Sequence, residues 1–287
     1  MRFGDGEGSR FSKEGRDSFE FDQTLLKFER ESDELERIDP TDFTELYGTA
    51  NVEADLAYVK DMEALFKREQ TMQEKNLQRI SNAFEIILFD RIELDNWFGP
   101  NTMTLASSRY DDIKNGIDVI AEIGEEDSSA VSHLGLAVDI TYSTHLEKKF
   151  DRIRQEILSR KLSTIKYFQS SEQSFMGQLS NVPRVVIGVQ KETIGELMQL
   201  TLGKKRKELA AHPVQHQILS EIRLQLHTFT DFAQKQKAGN VIVQRLEHAA
   251  DLIDGIIEDK AQGKKSNDFK KDRVYQEIVS QLASKFK

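Results

Sequence analysis

The chain has 287 residues, of which 38% are apolar, and its net charge at pH 7 is −9. This length allows one large hydrophobic core or two modest ones, and the lack of cysteine excludes disulfides, thiolate metal sites and cysteine nucleophiles. No apolar run approaches the roughly 18 residues that a membrane span needs, and residues 1–10 lack the apolar core of a signal peptide. We therefore expect a cytoplasmic protein without a membrane partner.

The first predicted region is residues 1–50, which mix acids, glycine and serine with scattered aromatic residues and show no lasting period. This composition predicts a largely disordered acidic arm, with one helix near residues 23–37. The aromatic side chains of such an arm would dock on a protein partner or on the body of the chain.

Residues 52–190 are predicted to form an α/β core. Apolar residues at three- and four-residue spacings over 52–93 predict either one long projecting helix or two helices in sequence. A short strand at 102–106 follows, and two Val- and Ile-rich runs at 116–123 and 134–142 predict a β-hairpin. A helix over 144–161 and strands at 164–169 and 184–189 complete this core.

The remaining chain is predicted to be helical. Residues 191–259 form a helical extension, with helices at 192–202, 214–236 and 240–259, and residues 260–287 form a basic linker and a terminal helix. The fold class is thus α/β, a mixed β-sheet flanked by helices, with a long N-terminal helix and a C-terminal helical extension. A basic run could contact nucleic-acid phosphates, although such runs are usually solvated helix ends; its residues are Lys204, Lys205, Arg206 and Lys207.

Charge is concentrated around the predicted hairpin. Residues 111–143 hold eight acids and one base, whereas residues 144–211 hold 13 basic and 7 acidic side chains. An acidic segment followed by a basic one is what a metal site acting on phosphates requires. Solvated helix faces alone would also produce this distribution.

The hairpin itself carries an aspartate on each strand. If it is symmetric about Ser128 and Ser129, Gly124 faces His133 and Asp118 faces Asp139. Directly opposed residues have Cβ atoms only about 4.5–5.5 Å apart, where like charges repel. A shared proton, a nearby lysine or arginine, or a divalent cation would offset the repulsion. We expect Mg²⁺ or Mn²⁺, provided that a one-residue slip does not put the two acids on opposite faces.

The order helix, three strands, helix, strand over residues 77–169 resembles the core of the PD-(D/E)XK nuclease-like superfamily. The sequence Gly116-Ile117-Asp118 stands where that family has its first strand acid, and Asp139-Ile140-Thr141 stands where it has its second motif. Glu85 matches the acid that many members carry on the first helix. The resemblance implies a restriction-endonuclease-like fold, a metal held by Asp118 and Asp139, and help from Glu85 or Asp112 through water.

The resemblance has one departure, because Thr141 replaces the lysine of the family motif. Some members supply that lysine from the next helix, which implies Lys149, or less favourably Lys148, as the substitute; Lys166 is a third option. The Thr141 hydroxyl could hydrogen-bond the attacking water, but it carries no positive charge. If no lysine reaches the site, we expect catalysis to be feeble or absent.

These observations predict a metal-dependent phosphodiester hydrolase, a nuclease acting on nucleic acid, in which a carboxylate-held ion activates water and stabilises developing charge. Asp118, Asp139, Thr141, Lys149 and Glu85 are its candidate catalytic residues. Two alternatives stay open. One is a catalytically inactive core of the same fold that serves as a binding or scaffold module. The other is a mainly helical protein-interaction protein whose acidic hairpin is structural.

Overall fold

A computed structural model of the chain describes residues 13–124, 131–138, 144–171, 175–260 and 268–287. Within these residues the protein is a mixed α/β structure, in which a small mixed sheet is flanked by helices. None of the helices in the described ranges is both long and apolar enough to cross a bilayer. The helices are α1 (Lys13–Glu31), α2 (Thr44–Tyr47), α3 (Thr49–Glu69), α4 (Met72–Leu94), α5 (Arg109–Asn115), α6 (Thr144–Leu158), α7 (Lys191–Leu202), α8 (Arg206–Ala210), α9 (Val214–Lys235), α10 (Asn240–Lys260) and α11 (Arg273–Lys285).

Within the residues that the structure describes, six strands form two sheets. The larger sheet has the order β1-β2-β3-β6, with β1, β2 and β3 antiparallel and β6 parallel to β3; the smaller one is the antiparallel pair β4-β5. The strands are β1 (Thr102–Ala106), β2 (Val119–Gly124), β3 (Val131–Val138), β4 (Ser163–Gln169), β5 (Met176–Val182) and β6 (Arg184–Ile187). The strand beside β3 is therefore β6, and not the strand at 164–169 that the resemblance assigned to the core.

The N-terminal region differs from the largely disordered arm that its composition predicts. Helix α1 covers Lys13–Glu31, and two of its apolar residues, Leu25 and Phe28, are buried in the main hydrophobic cluster. A 3-10 turn at Pro40–Phe43 buries Phe43. Phe28 and Phe43 thus pack on the body of the chain, as expected for one of the two uses of the aromatic residues, whereas Phe19 is exposed.

The long helical pattern at 52–93 is two helices in sequence. Thr71 starts α4 with a capping box, in which its hydroxyl accepts from the Glu74 backbone N–H and the Glu74 carboxylate accepts from the Thr71 N–H. These reciprocal bonds satisfy two of the donors that a helix start leaves unpaired. The capping box therefore separates α4 from α3, and the alternative of one continuous helix is wrong.

The hairpin forms, but in another register. Val119 pairs with Leu136 and Gly124 with Val131, so Gly124 does not face His133 as predicted. The pairing is two residues out of the predicted register, which leaves every side chain on its predicted face because faces alternate with period two. Asp118 precedes the paired segment, and Asp139 lies outside the described residues. The prediction that these two aspartates face each other was derived from a register that the hairpin does not have.

The sheet separates two apolar regions. On β2, Val119, Ala121 and Ile123 face the main cluster, which also contains residues of α1, α4, α6, α7, α9, α10 and α11. Ile120 points to the opposite face, where it packs with Ile165 of β4. This alternation places residues just before β2 close to α4, α5 and β4, where the candidate site lies.

Candidate carboxylate site

Three acidic side chains from different elements interact near the start of β2. Glu85 lies on α4, Asp112 on α5, and Asp118 directly before β2. Gly116 ends α5 with a φ of 65°, a left-handed conformation that glycine adopts without the steric cost of a side chain. The chain can therefore turn from α5 into β2 over three residues, 116–118, and a side-chain hydrogen bond joins Asp112 to Asp118.

Glu85 is an acid on the buried side of α4. Its neighbours Phe84, Ile87 and Leu88 are at most 1% exposed, and Glu85 itself is only 6% exposed. The pKa of Glu85 is raised from 4.5 to about 7, first by burial and then by the negative charge of Asp118. Near neutral pH this carboxyl is therefore poised between its charged and neutral forms.

Asp112 responds to the same neighbour. Its pKa is raised well above the usual value, first by burial and then by the charge of Asp118. Because two carboxyl groups can share a hydrogen bond only if one of them holds a proton, the bond between Asp112 and Asp118 also favours the protonated form. The charge of Asp118 thus acts on both other acids, which places all three in one electrostatic cluster.

Two arginines offset part of this negative charge. Arg37 donates from Nη2 to Glu85 Oε1 at 2.5 Å, and its Nη1 lies 3.9 Å from Asp112 Oδ2. Arg109 bonds Asp112 closely and also lies 2.9 Å from Glu63. Both guanidinium groups lower the pKa of Asp112. We refer to Glu85, Asp112 and Asp118 as the acid cluster.

Arg37 is not among the site residues that the sequence predicts. The residue lies 48 positions before Glu85, within the region that composition predicts to be disordered, and no local pattern connects it to an acid so distant in the chain. Only the tertiary structure brings the two together.

The two adjacent aspartates of α5 have different surroundings. The carboxylate of Asp111 is fully buried and accepts from the backbone N–H groups of Lys166 and Tyr167 at 2.8 and 3.0 Å, and from Ser108 and Asn115. It therefore attaches α5 to β4 and is saturated with donors. Asp112 points instead to the acid cluster, so only the second of the pair is available to a ligand.

The predicted lysines have different locations. Lys149 is half-buried and Lys148 exposed, both on α6. Lys166 forms a close ion pair with Asp55, and its ammonium lies 5.2–5.4 Å from the ring centres of three tyrosines. These rings belong to Tyr47, Tyr110 and Tyr167. Lys166 is therefore engaged away from the acid cluster.

The donor chemistry of the acid cluster suits Mg²⁺ or Mn²⁺, because both ions prefer carboxylate oxygens. The described ranges nevertheless contain no group of three or more acidic or histidine side chains already arranged around a metal position. Two further predicted residues, Asp139 and Thr141, lie outside those ranges. The described acids thus supply suitable ligands without forming a complete metal site.

The predicted nucleic-acid contacts are exposed but partly paired. Lys205 Nζ lies 3.4 Å from Glu208, and Arg206 Nε lies 3.6 Å from Asp95. Lys204 and Lys207 are exposed in the same segment.

Comparisons of the chain with protein-family models, curated proteins and solved structures found no significant match.

Proposed function

We propose that the chain binds Mg²⁺ or Mn²⁺ through Asp118, Glu85, Asp112 and Asp139, and hydrolyses phosphodiester bonds in nucleic acid. The observation that carries the proposal is that the negative charge of Asp118 raises the pKa of two other acids, Glu85 and Asp112. Buried carboxylates that repel one another are typical of functional sites, where a bound cation offsets the repulsion.

The order of the strands supports the same proposal. Three antiparallel strands are followed by α6 and, after the β4-β5 pair, by a strand parallel to β3. This arrangement resembles the nuclease-like core, with Asp118 directly before its second strand and Asp139 directly after its third strand in the sequence. The insertion of β4 and β5 before the parallel strand departs from the simplest form of that core.

In the proposed mechanism the acids hold the cation and the basic residues hold the substrate. A bound divalent cation would supply Lewis-acid activation of water and stabilisation of the phosphorane-like charge. Glu85 would hold this cation as a charged carboxylate, directly or through a water molecule. Thr141 would orient that water, Lys149 would place a positive charge on the phosphate, and Lys204, Lys205, Arg206 and Lys207 would bind flanking phosphates.

A cleavage assay tests this function. Purified protein is incubated with labelled single- and double-stranded DNA and RNA, with Mg²⁺ or Mn²⁺ and with a chelator. We expect metal-dependent cleavage that Asp118→Asn and Asp139→Asn each reduce by about a hundredfold or more. Asp61→Asn, at an exposed position of α3, is the matched control and should cleave normally. Cleavage that survives Asp118→Asn would reject the site.

A second candidate function is a binding module that has kept the fold without catalysis. The specific observation in its favour is that Lys166 is paired with Asp55 rather than with the acid cluster, and the family's motif lysine is replaced by Thr141. Metal-independent binding of nucleic acid, with no cleavage under any of these conditions, would favour this candidate over the hydrolase.

A further inference from the structure

The outer strands of the larger sheet are each paired with another segment of the chain. At the end of β1, Arg37 forms a parallel β-bridge with Ala106, and the Ile38 N–H donates to the Ala106 carbonyl at 3.1 Å. At β6, the side chain of Gln225 on α9 bonds both the N–H and the carbonyl of Val186. The larger sheet therefore has partners for backbone groups at both of its outer strands.

The smaller sheet has such a partner at β4 but not at β5. The Asp111 carboxylate accepts from the N–H groups of Lys166 and Tyr167, so α5 covers the outer side of β4. In the part of the chain that the structure describes, the backbone of β5 is hydrogen-bonded to β4 and to no other segment. An antiparallel strand paired on one side leaves alternate N–H and carbonyl groups on its other side. The outer side of β5 can thus accept a further strand.

The outer strand carries no charge. Residues 175–183 read FMGQLSNVP, although 31% of the residues of the whole chain are charged and its net charge is −9. Charged side chains are a common protection against pairing between molecules, and β5 has none. Two copies of this strand can therefore lie side by side without opposed like charges. This makes β5 electrostatically compatible with a second copy of itself.

An exposed apolar rim, formed by Leu46, Phe175 and Met176, lies beside the same strand. A Cβ atom at Gly177 would lie 3.3 Å from the ring of Phe175 and 3.7 Å from Cδ2 of Leu46, so these two side chains lie over the glycine. Leu46 is 54% exposed, Phe175 46% and Met176 38%. Covering such side chains is favourable, and a glycine in a strand lets another backbone approach closely.

We propose that β5 pairs antiparallel with β5 of a second copy of the chain, around Gly177 and Gln178. The two small sheets then join into one four-stranded sheet, in the order β4-β5-β5-β4. Such a contact has two-fold symmetry, so each copy offers the same neutral strand and the same apolar rim. The unpaired backbone groups bond one another, and the two rims cover each other. This inference goes beyond the proposed function and does not depend on it.

Light scattering over a range of concentrations tests the pairing. We expect the mass of the wild-type chain to approach that of two chains as the concentration rises from about 1 to 100 μM. Gln178→Lys brings two like charges together across the pair and should weaken association at least about tenfold. Gln73→Lys makes the same change at an exposed position of α4 and should associate like wild type.

Leu46→Glu tests the apolar rim without altering β5, because Leu46 lies on α2. It places a charge where the two rims meet and should also weaken association at least about tenfold. Circular dichroism establishes that each variant is folded. If Gln178→Lys does not fold, Leu46→Glu carries the same test.

Cross-linking locates the contact. The chain has no cysteine, so Gln178→Cys provides its only thiol. Opposed and diagonal residues of an antiparallel pair lie about 5–8 Å apart, and a short bismaleimide should therefore join two Gln178→Cys chains at least about tenfold faster than two Gln73→Cys chains. A wild-type chain that stays monomeric at about 100 μM would overturn the inference, as would a dimer that both Gln178→Lys and Leu46→Glu leave intact.

Discussion

Glu85 and Glu221 are both buried glutamates on core-facing helices, and burial raises the pKa of each, yet their surroundings differ. The oxygens of Glu221 accept from the Gly188 N–H at 3.1 Å and from Gln217 at 3.0 Å. Glu85 instead faces the charge of Asp118 and the guanidinium of Arg37. Burial is the first cause of the raised pKa in both glutamates, and a second acid raises it further in each, Asp118 for Glu85 and Asp272 for Glu221. The two sites differ in their partners, because neutral donors satisfy both oxygens of Glu221 whereas a guanidinium binds Glu85.

Glu221 belongs to a network through which α9 covers the edge of β6. Gln225 makes two bonds with one residue of the strand, accepting from the Val186 N–H at 2.8 Å and donating to its carbonyl at 2.6 Å. Gln217 donates to the Gly188 carbonyl at 3.3 Å. These side chains satisfy buried backbone groups as a neighbouring strand would. The network therefore serves stability, in contrast to the acid cluster.

The largest effect is expected from breaking the α9 network. Gln225→Ala leaves the N–H and the carbonyl of Val186 buried and unpaired, so we expect the free energy of unfolding to fall by about 2–4 kcal/mol. Urea denaturation measures this loss. Gln234→Ala is the control, because Gln234 lies exposed on the same helix and its side chain donates to Glu247 at 2.8 Å; its effect should be within about 0.5 kcal/mol. Equal effects would contradict the structural role.

The next effect concerns the pH dependence of stability. The pKa of Glu85 is about 7 in the folded protein, against an ordinary value of 4.5 in the unfolded chain. Between these two pH values Glu85 is deprotonated in the unfolded chain but still protonated in the folded one. The stability contributed by Glu85 is therefore fully present below about pH 4.5 and is lost as the pH rises to about 7, a decline of up to about 3 kcal/mol. Asp118→Asn should reduce the decline, since it removes the repulsion that helps to raise the pKa of Glu85.

Unfolding by urea at pH 5, 6, 7 and 8 measures that dependence. Asp61→Asn changes an exposed aspartate and should reproduce the wild-type profile. An identical decline in Asp118→Asn and wild type would show that the charge of Asp118 does not reach Glu85.

The smallest effect is the stabilisation of the wild-type chain by metal. At a Mn²⁺ concentration of roughly five times Kd we expect the free energy of unfolding to rise by about 1 kcal/mol. Asp118→Asn should abolish this rise, while Glu221→Gln should keep it, because both oxygens of Glu221 are already bonded within the fold. Loss of the rise in Glu221→Gln, measured by thermal unfolding against each variant's own metal-free baseline, would place the cation elsewhere.

Part of this structure could be predicted from the sequence. The hairpin strands, the buried strand at 184–187 and the C-terminal helices follow from periodicity and β-branched composition, which act locally. The partner of β3 could not be derived in the same way, since strand pairing depends on long-range packing and both β4 and β6 are short runs able to form strands. The hairpin register was misplaced by two residues because the centre of a polar connection does not fix the pairing.

The same limit applies to the site. Glu85 could be proposed because it lies beside the apolar stripe of its helix, and Asp118 because it lies on a predicted hairpin strand. The difference between Asp111 and Asp112 depends on the backbone of β4, which supplies two donors to Asp111 alone. The position of Arg37 in the site depends on its β-bridge to Ala106, which no spacing of residues in the sequence indicates. Contacts between distant segments therefore define the electrostatics of the site.

That bridge has a consequence for assembly. Arg37 and Ile38 cover the end of β1, on the opposite side of the larger sheet from the strand that α9 protects. Open strand edges recruit strands from other molecules, and proteins commonly block them with a short covering segment. A shortened chain that begins after residue 39 would expose this end of β1, and we expect it to self-associate more readily than the full chain.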